Sequence, residues 1–538
     1  MKGYGKKVFG TDDHVSPGDS AECCDQVRSR GLVTIGDRLR SKVGRRSSGH
    51  RHRFPLSWLS LAALLSLGDI GQLYAQPPGL PQGGNVIAGS ATIAASNKQM
   101  TITTGTDRSV ISWDSFSIGK GNQVTIQQPS VTSVNVDRVT GNDPSRIYGS
   151  LQSNGRVVLT NPNGVWFGPD AKVNVSGVVA TSHRLSDANA QAFAKGDTLK
   201  LDPGSATASV VNEGTITASQ GGFAALVAPG VSNSGTINAR LGKVQLASGT
   251  TTTVDFYGDG LINLAVSGQT SSRPLDADGK PLDAAVANSG KISAEGGKVT
   301  LSANVAKGII DHVVNMNGVI EAKGVSTKGG VVELLGNDGS VSVGGSVDVS
   351  GQKGQKGGRI RLQAGDAKAS DGGVANLTGS IDASSADDAG GTVDVSARYA
   401  YVGGSVTTSG KSGGTVKVKA KAVLQTAAVR ADATKGPGGS VEVFGSEGII
   451  QTSGAKTTAT SVEGAGGSLS LTTGANGRIF SSGYLGATGT TGGDITLLGN
   501  SIALAAATLD ASGATRGGNI VVGGVVCMAR VISGPPRR

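Results

Sequence analysis

Two pairs of carboxylates lie near turn signals and could carry out acid–base chemistry, Asp255 with Asp259 and Asp387 with Asp388. Enzymes that cleave polysaccharides use paired carboxylates as general acid and base. Neither pair is accompanied in the sequence by the Arg, His or further Asp that a sugar-cleaving site needs. We therefore interpret both pairs as solvated turn residues and expect that the chain is not an enzyme. A secreted carbohydrate-active enzyme remains an alternative.

A phosphate-binding loop and a metal site are also poorly supported. The stretch GSVTTSGKS at Gly404–Ser412 has one residue too many between its glycines for a nucleotide-binding loop, and it lies within repeat sequence. The chain holds five histidines and three cysteines, too few to favour a His- or Cys-based metal site. We expect no cofactor and no bound metal.

Composition and charge limit the class of protein that could position such residues. Glycine accounts for 86 of 538 residues, aromatic residues for 4 % and charged residues for 16 %. Such a chain could be low-complexity disorder, but alternating Val, Ile and Leu favour a repetitive β architecture with tight turns. Residues 1–75 carry 12 Lys and Arg against 7 Asp and Glu, half of the net charge of +10. The other half is spread over the rest of the chain, which indicates no nucleic-acid partner.

Repeated phrases predict the architecture. The phrase VNEGTITASQGGFAAL, which starts at Val211, returns 20 residues later as VSNSGTINARLGKVQL. A second phrase, Gly-Gly followed by alternating apolar residues, starts at Gly329, Gly357, Gly390, Gly413, Gly438, Gly466, Gly492 and Gly517. Each unit is too small to bury its apolar stripe alone, so the units must stack strand on strand. We predict an all-β, parallel β-helical solenoid of about 18–22 coils, with one short helix or loop over Ser186–Lys195.

The first 75 residues have the order of a secretory signal peptide. An apolar core at residues 56–67 follows four arginines between residues 45 and 53, and small residues up to Ala75 come after it. This order predicts cleavage between Ala75 and Gln76. The core is too short to span a bilayer comfortably. We therefore expect residues 1–75 to be a long pre-sequence that is not part of the β-helix and is removed on export.

A series of motifs between residues 85 and 266 resembles one protein family. In order they are WDSFSIG at Trp113–Gly119, VNVDRVTG, PSRIYGSL, NPNGVWFG at Asn161–Gly168 and VDFYGDGLINLAV at Val254–Val266. Their order and wording resemble the secretion domain of filamentous haemagglutinin, high-molecular-weight adhesins and related two-partner secretion exoproteins. The central motif usually continues with Ile, where this chain has Val165. The first of two Asn-Pro-Asn motifs of some relatives is missing, so the chain resembles the adhesin-like branch.

The resemblance implies a right-handed parallel β-helix that leaves a Gram-negative cell through the periplasm. An outer-membrane partner pore with periplasmic recognition domains would bind the chain and thread it to the cell surface or the medium. The tetrapeptide Asn161, Pro162, Asn163 and Gly164 would be the secretion motif. Judged by its residues alone, it is equally a tight corner of the coil, because Pro fixes φ while Asn and Gly accept left-handed conformations.

The implied role is that of an adhesin or haemagglutinin, which displays a long surface to a host cell, another bacterium or a matrix. The other alternative is the stalk of a contact-dependent toxin whose effector this chain lacks. We divide the chain into the pre-sequence 1–75, a secretion domain 76–266, glycine-rich repeats 267–524 and an atypical tail 525–538. The repeat pattern collapses around Cys527, and we expect a truncated or frame-shifted reading frame there.

Overall fold

The computed structural model describes residues 79–256, 263–276, 278–325, 329–337, 339–365, 372–524 and 527–532. The pre-sequence 1–75, the cleavage site at Ala75 and Gln76, and part of the tail 525–538 lie outside the described residues. One helix, α1 (Asp187–Ala194), lies among the described residues. Within these ranges no helix is long and apolar enough to cross a membrane.

In the first half of the described chain, strands of the repeat alternate with segments that leave the repeat. Its strands are β1 (Asn85–Ala88), β2 (Ala91–Ser96), β3 (Gln99–Thr104), β4 (Arg108–Trp113), β5 (Gln123–Gln127), β6 (Val134–Val139), β7 (Ser145–Ile147), β8 (Ser150–Ser153), β9 (Arg156–Thr160), β10 (Val165–Phe167), β11 (Lys172–Thr181), β12 (Leu199–Leu201), β13 (Ser209–Asn212), β14 (Thr215–Ala228), β15 (Gly230–Asn233), β16 (Thr236–Asn238), β17 (Lys243–Ser248), β18 (Thr251–Asp255) and β19 (Asn263–Ser267). Between β11 and β13, and again between β17 and the next strand of the repeat, the chain leaves the repeating pattern.

The second half repeats with few interruptions. Its strands are β20 (Val286–Asn288), β21 (Lys291–Ser293), β22 (Lys298–Ala303), β23 (His312–Met316), β24 (Val319–Glu321), β25 (Val331–Gly336), β26 (Ser340–Val343), β27 (Ser346–Asp348), β28 (Arg359–Ala364), β29 (Val374–Leu377), β30 (Ser380–Asp382), β31 (Thr392–Ala397), β32 (Tyr399–Val402), β33 (Ser405–Thr407), β34 (Thr415–Gln425), β35 (Ala428–Arg430), β36 (Ser440–Gln451), β37 (Lys456–Thr458), β38 (Ser468–Thr473), β39 (Arg478–Ser481), β40 (Tyr484–Gly486), β41 (Gly489–Thr491), β42 (Asp494–Leu498), β43 (Ser501–Leu504), β44 (Thr508–Asp510), β45 (Gly513–Arg516), β46 (Asn519–Gly524) and β47 (Cys527–Ile532). In all eight Gly-Gly phrases the two glycines directly precede one of these strands.

The strands stack in parallel along three ladders, which confirms the predicted parallel β-helix. The longest ladder passes through β4, β6, β9, β11, β14, β17, β22, β25, β28, β31, β34, β36, β38, β42 and β46. These fifteen strands are fewer than the 18–22 coils expected from sequence. Part of the difference arises because residues 183–208, and the described residues between 249 and 285, add no strand to this ladder.

The interior of the coil is a continuous apolar column. Inward positions of each strand are buried Val, Ile, Leu and Ala that pack on the same position of the next coil. Amides are stacked in the same interior: Asn212 bonds to Asn233 over 2.7 Å, and Asn233 to Asn288 over 2.6 Å. The stacked amides supply hydrogen-bond partners to one another, which lowers the cost of burying them.

A second, smaller core covers the outside of the first coils. Helix α1 and an antiparallel sheet of β12, β18 and β19 pack over the outward side chains of β4, β6, β9, β11 and β14. The helix agrees with the prediction over Ser186–Lys195, and the Ser186 side chain accepts a hydrogen bond from the Asn189 amide at its N-terminus. Arg138 of β6 forms an ion pair with Asp187 in the first turn of α1. We call this covering the outer layer.

The later coils carry charges in vertical columns on their bare outer face. One column alternates in sign from coil to coil; its members, paired in register, are Glu333, Arg361, Asp394, Lys417 and Glu442. We call it the charge column. Lys417 and Glu442 approach to 3.1 Å within it.

Candidate functional site

The tetrapeptide Asn161–Gly164 is a tight turn between β9 and β10. The Gly164 amide donates a hydrogen bond to the Asn161 carbonyl over 2.9 Å, and this bond closes the turn. Gly164 has φ of 108°, a conformation that L side chains rarely adopt. A Cβ at this position would also lie 2.8 Å from the Ser209 carbonyl oxygen. Glycine is therefore required here by both conformation and space.

Asn161 is buried and joins neighbouring coils. Its Oδ1 accepts a hydrogen bond from the Asn163 amide over 2.9 Å, and its Nδ2 donates to the Asp143 carbonyl over 2.9 Å and to Ser145 Oγ over 3.1 Å. All of these partners lie in the turn itself or in the preceding coil. Truncation of Asn161 would leave buried polar groups without partners, which is costly. The contacts of this side chain therefore support the fold.

Pro162 and Asn163 are the outward half of the turn. Asn163 is exposed, and its Nδ2 donates to the Gly141 carbonyl over 2.9 Å. Pro162 is half-buried. A protein that recognises this turn can contact Pro162 and Asn163, while the other half of the motif faces inward. It can also contact a shallow cleft beside the turn, whose lining includes Asn163, Gly164, Ser205, Leu275 and Gly279.

An aromatic and cationic cluster follows the turn directly. Trp166 of β10 points outward, with the Arg146 guanidinium 5.0 Å and the Tyr148 ring 5.8 Å from its ring. Its Nε1 donates to Glu213 over 3.0 Å, and Arg146 pairs with Asp278 over 3.7 Å. In the sequence Trp166 stands out only as part of the NPNGVWFG motif. Its partners are distant in the chain and meet only because successive coils stack.

A buried carboxyl group, which sequence reasoning missed, lies inside the first coils. Asp137 is fully buried; it accepts hydrogen bonds from Trp113 Nε1 and from Asn135 Nδ2, both over 2.9 Å. Burial raises the pKa of Asp137 to about 7, against the lowering effect of these two hydrogen bonds. The sequence did offer a sign of this buried carboxyl group, because Asp137 is a charged residue within the alternating strand VNVDRV.

The outer layer encloses a histidine and two arginines. Ring nitrogens of His183 lie 2.7 Å from Thr252 Oγ1 and 3.0 Å from the Gly249 carbonyl oxygen, and burial lowers the pKa of His183 to about 4. Two cations lie over aromatic rings at 5.0 and 5.9 Å from the ring centres: Arg108 over Phe193, and Arg156 over Phe223. Arg108 thereby fastens α1 to the coil, and Arg156 donates a hydrogen bond to the Phe256 carbonyl over 3.1 Å, which fastens the end of β18 to the coil.

The residues first considered for acid–base chemistry lie apart from these clusters. Asp387 and Asp388 occupy one turn between coils, where Asp388 Oδ1 accepts from the Ala389 amide over 2.7 Å. Asp255 ends β18, and Asp259 lies outside the described residues. Gly404–Ser412 spans β33 and the turn after it. Among the described residues no group of three His, Cys, Asp or Glu is placed to hold a metal ion.

Comparison with known families gives a match over half of the chain. The family model described as the TPS secretion domain matches residues 79–349. The match includes the turn, the outer layer and the first regular coils.

Similar proteins and a similar solved structure come from Haemophilus influenzae. A heme/hemopexin-binding protein is 35 % identical over 304 residues, which are 56 % of this chain and 31 % of that protein. A second heme/hemopexin-binding protein is 38 % identical over 133 residues, 24 % of this chain and 14 % of that protein. The chain thus spans less than a third of the length of these relatives. The crystal structure of the HMW1 secretion domain, 24 % identical, aligns with a TM-score of 0.53 over 80 % of this chain and 100 % of that one. This likeness concerns the fold alone.

Proposed function

Because the chain belongs to the two-partner secretion exoproteins that carry the TPS secretion domain, we propose that it leaves a Gram-negative cell through an outer-membrane partner pore and acts as a binding protein outside. The family match carries this proposal. The partner pore would recognise the chain in the periplasm. The target would be a host cell, another bacterium or a matrix, as for an adhesin.

We assign the outward half of the Asn161–Gly164 turn to recognition by the partner. Asn161 and Gly164 are occupied by contacts within the coil, whereas Pro162 and Asn163 remain accessible. The two asparagines should therefore behave differently when truncated. Asn161→Ala should impair folding, and Asn163→Ala should impair export of a chain that still folds.

Export from cells that express the chain with and without its partner pore tests this assignment. Asn163→Ala is compared with Asn154→Ala, a matched control: Asn154 is also exposed in a turn and donates Nδ2 to a carbonyl of the preceding coil, over 2.8 Å. We expect partner-dependent export for the parent and for Asn154→Ala, and periplasmic retention for Asn163→Ala. Equal export of both variants would remove the recognition role of Asn163. Export without the partner would remove the proposal as a whole.

The binding role would be non-catalytic and spread over the outer faces of the coils. Asp387 and Asp388 lie in one turn between coils, and in the described part of the chain no group of three His, Cys, Asp or Glu is placed to hold a metal ion. Incubation of the purified chain with a panel of polysaccharides is the check. Release of shortened sugar chains would overturn the non-catalytic role.

A second candidate is the capture of haem or hemopexin. The similarity of 35 % over 304 residues to a heme/hemopexin-binding protein supports it. Surface plasmon resonance with immobilised chain, and with haem, hemopexin and haem–hemopexin as separate analytes, distinguishes this candidate from adhesion. Saturable binding of haem–hemopexin without attachment to cells would favour capture. Attachment to cells without hemopexin binding would favour the adhesin.

A further inference from the structure

An apolar column runs along the outside of the C-terminal coils. Its members, paired residue on residue in neighbouring coils, are Tyr401, Leu424, Ile450 and Phe480. Leu424, Ile450 and Phe480 are 38, 49 and 42 % exposed. In the two preceding coils the same position is polar, with Ser342 and Asn376. The apolar residues are therefore confined to one segment of this face.

Small side chains border the two central members of the apolar column, Leu424 and Ile450, on both sides. Ala422 and Gly448 stand two residues before Leu424 and Ile450 in the same strands. Thr426 and Thr452 stand two residues after them. The centre of the face is therefore flat, so that a second flat face could approach to the roughly 10 Å that separates packed sheets. In the outer coils the same border position holds Tyr399 and Arg478. Contiguous exposed apolar patches of a few hundred Å² often mark interaction sites.

The charges at the rim of this face are self-complementary. Lys421 and Glu447 flank the column in neighbouring coils and form an ion pair of 3.2 Å. A two-fold axis placed across the column between Leu424 and Ile450 would bring Lys421 of one copy opposite Glu447 of the other. The same axis would bring Leu424 opposite Ile450, and Tyr401 opposite Phe480. The rise per coil is identical in two copies, so each side chain meets its counterpart along the whole column.

We propose that this face is an interface between two copies of the chain, packed antiparallel about that two-fold axis. Such an isologous arrangement closes on itself and stops at a dimer. The column and its borders offer on the order of 300–400 Å² per copy, about half of a standard interface. The dimer is therefore a weak one that forms at high local concentration, as on a crowded surface. This self-association goes beyond export and target binding and depends on neither.

Sedimentation velocity of the full secreted chain, from about 1 to about 100 μM, tests the proposal. We expect a concentration-dependent dimer. Leu424→Asp should weaken it about ten-fold or more, because a carboxylate would be buried against an apolar surface. The matched control is Ser342→Asp, which introduces the same charge at the same position two coils before Tyr401, outside the apolar column, and should leave the dimer unchanged.

A mixing experiment isolates contacts between copies from contacts within one copy. Lys421→Glu and Glu447→Lys each place like charges opposite one another and should each weaken the dimer. In an equimolar mixture, the carboxylates of the first variant lie opposite the ammonium groups of the second. The dimer should therefore return, although each chain still lacks its own ion pair.

Circular dichroism of each variant verifies folding. A parent chain that stays monomeric at the highest concentration would overturn the proposal. So would a mixture that stays as weak as its components, or equal effects of Leu424→Asp and Ser342→Asp.

Discussion

The coils of residues 79–285 and those of residues 286–524 use the same strand ladder in different ways. The early coils bury Asp137, His183, Arg108 and Arg156 and carry the outer layer. The later coils bury mainly Val, Ile, Leu and Ala, and leave their outer faces bare. The early coils are thus held together by individual side-chain contacts that occur only once. The later coils are held together by the same contact repeated from coil to coil. Contacts that are particular to this protein therefore lie where the chain departs from the repeat.

The largest effect is expected from Trp113→Ala in the early coils. Trp113 is buried, contacts the Phe116 ring at 5.5 Å and donates to Asp137. Its truncation leaves a large cavity and should cost about 3–5 kcal/mol of unfolding free energy. Hydrogen exchange should show lost protection in β4, β6 and the outer layer, with β38 and β42 unchanged. Loss of protection along the whole ladder would show that the two regions unfold as one unit.

Gly439→Ala should have the next largest effect, this time in the later coils. A Cβ at Gly439 would overlap the Gly414 carbonyl oxygen of the preceding coil. Both backbones are fixed by the ladder, so we expect a loss of about 2–4 kcal/mol, confined by hydrogen exchange to β34, β36 and β38. Gly329→Ala is the control, because the Gly358 Cα, at 3.6 Å, is the nearest atom to a Cβ there. A smaller loss for Gly439→Ala than for Gly329→Ala would contradict the close-packing argument.

An intermediate effect is expected from acidification between pH 7 and pH 4, through Asp137 and His183 of the early coils. The pKa of Asp137, about 7, lies above its usual 3.8, so this group makes the fold more stable as pH falls from 7 towards 4. The pKa of His183, about 4, lies below its usual 6.5, so this group makes the fold less stable over nearly the same interval. A pKa that differs by one between the folded and unfolded chain corresponds to roughly 1.4 kcal/mol. The two contributions oppose each other.

Asp137→Asn separates the two titrations. At pH 8 the variant removes a buried charge, and its amide also replaces one of the two acceptors that Trp113 and Asn135 use. The slope of stability against pH, and not the stability at pH 8, is therefore the readout. The variant should lose stability on acidification from pH 7 to pH 5 more steeply than the parent, because His183 then titrates without the opposing carboxyl. Urea unfolding at each pH, followed by hydrogen exchange in β6, is the measurement. Parallel pH profiles for variant and parent would show that Asp137 does not titrate in this range.

The smallest effect is expected from Lys417→Ala on the surface of the later coils. Lys417 and Glu442 are about half exposed, and exposed ion pairs contribute about 0–1 kcal/mol. We expect a loss below about 0.5 kcal/mol that disappears in high salt. The comparison between the regions would need revision if this substitution cost as much as Gly439→Ala.

The later coils could be predicted well from sequence, and the early ones only in part. The Gly-Gly phrase at Gly438 and Gly466 specifies a turn followed by an alternating strand, and stacking follows because no single unit buries its stripe. Helix α1 was predictable from Ser186 and the helix-forming residues after it. The contact of Arg108 with Phe193 joins segments that share no period, so no pattern in the sequence announces it.

The candidate site, too, could be predicted from sequence only in part. Asn161 and Asn163 are the same residue type in one short motif, and the motif predicts a tight turn for both. Which of them faces inward depends on the position of the preceding coil, whose Asp143 and Ser145 bind the Asn161 side chain. Only the fold therefore distinguishes the two asparagines.

The charge column has a consequence for the order in which coils assemble. Val packs on Val in the interior of every coil, so the apolar core packs equally well if one repeat is looped out and a coil stacks on the wrong neighbour. If the coil of Arg361 were skipped, Glu333 would stack on Asp394. If the coil of Asp394 were skipped, Arg361 would stack on Lys417. Like charges at this spacing repel, whereas the correct order pairs opposite signs throughout the column. The alternating signs therefore disfavour the omission of a single repeat, because the omission brings two like charges together.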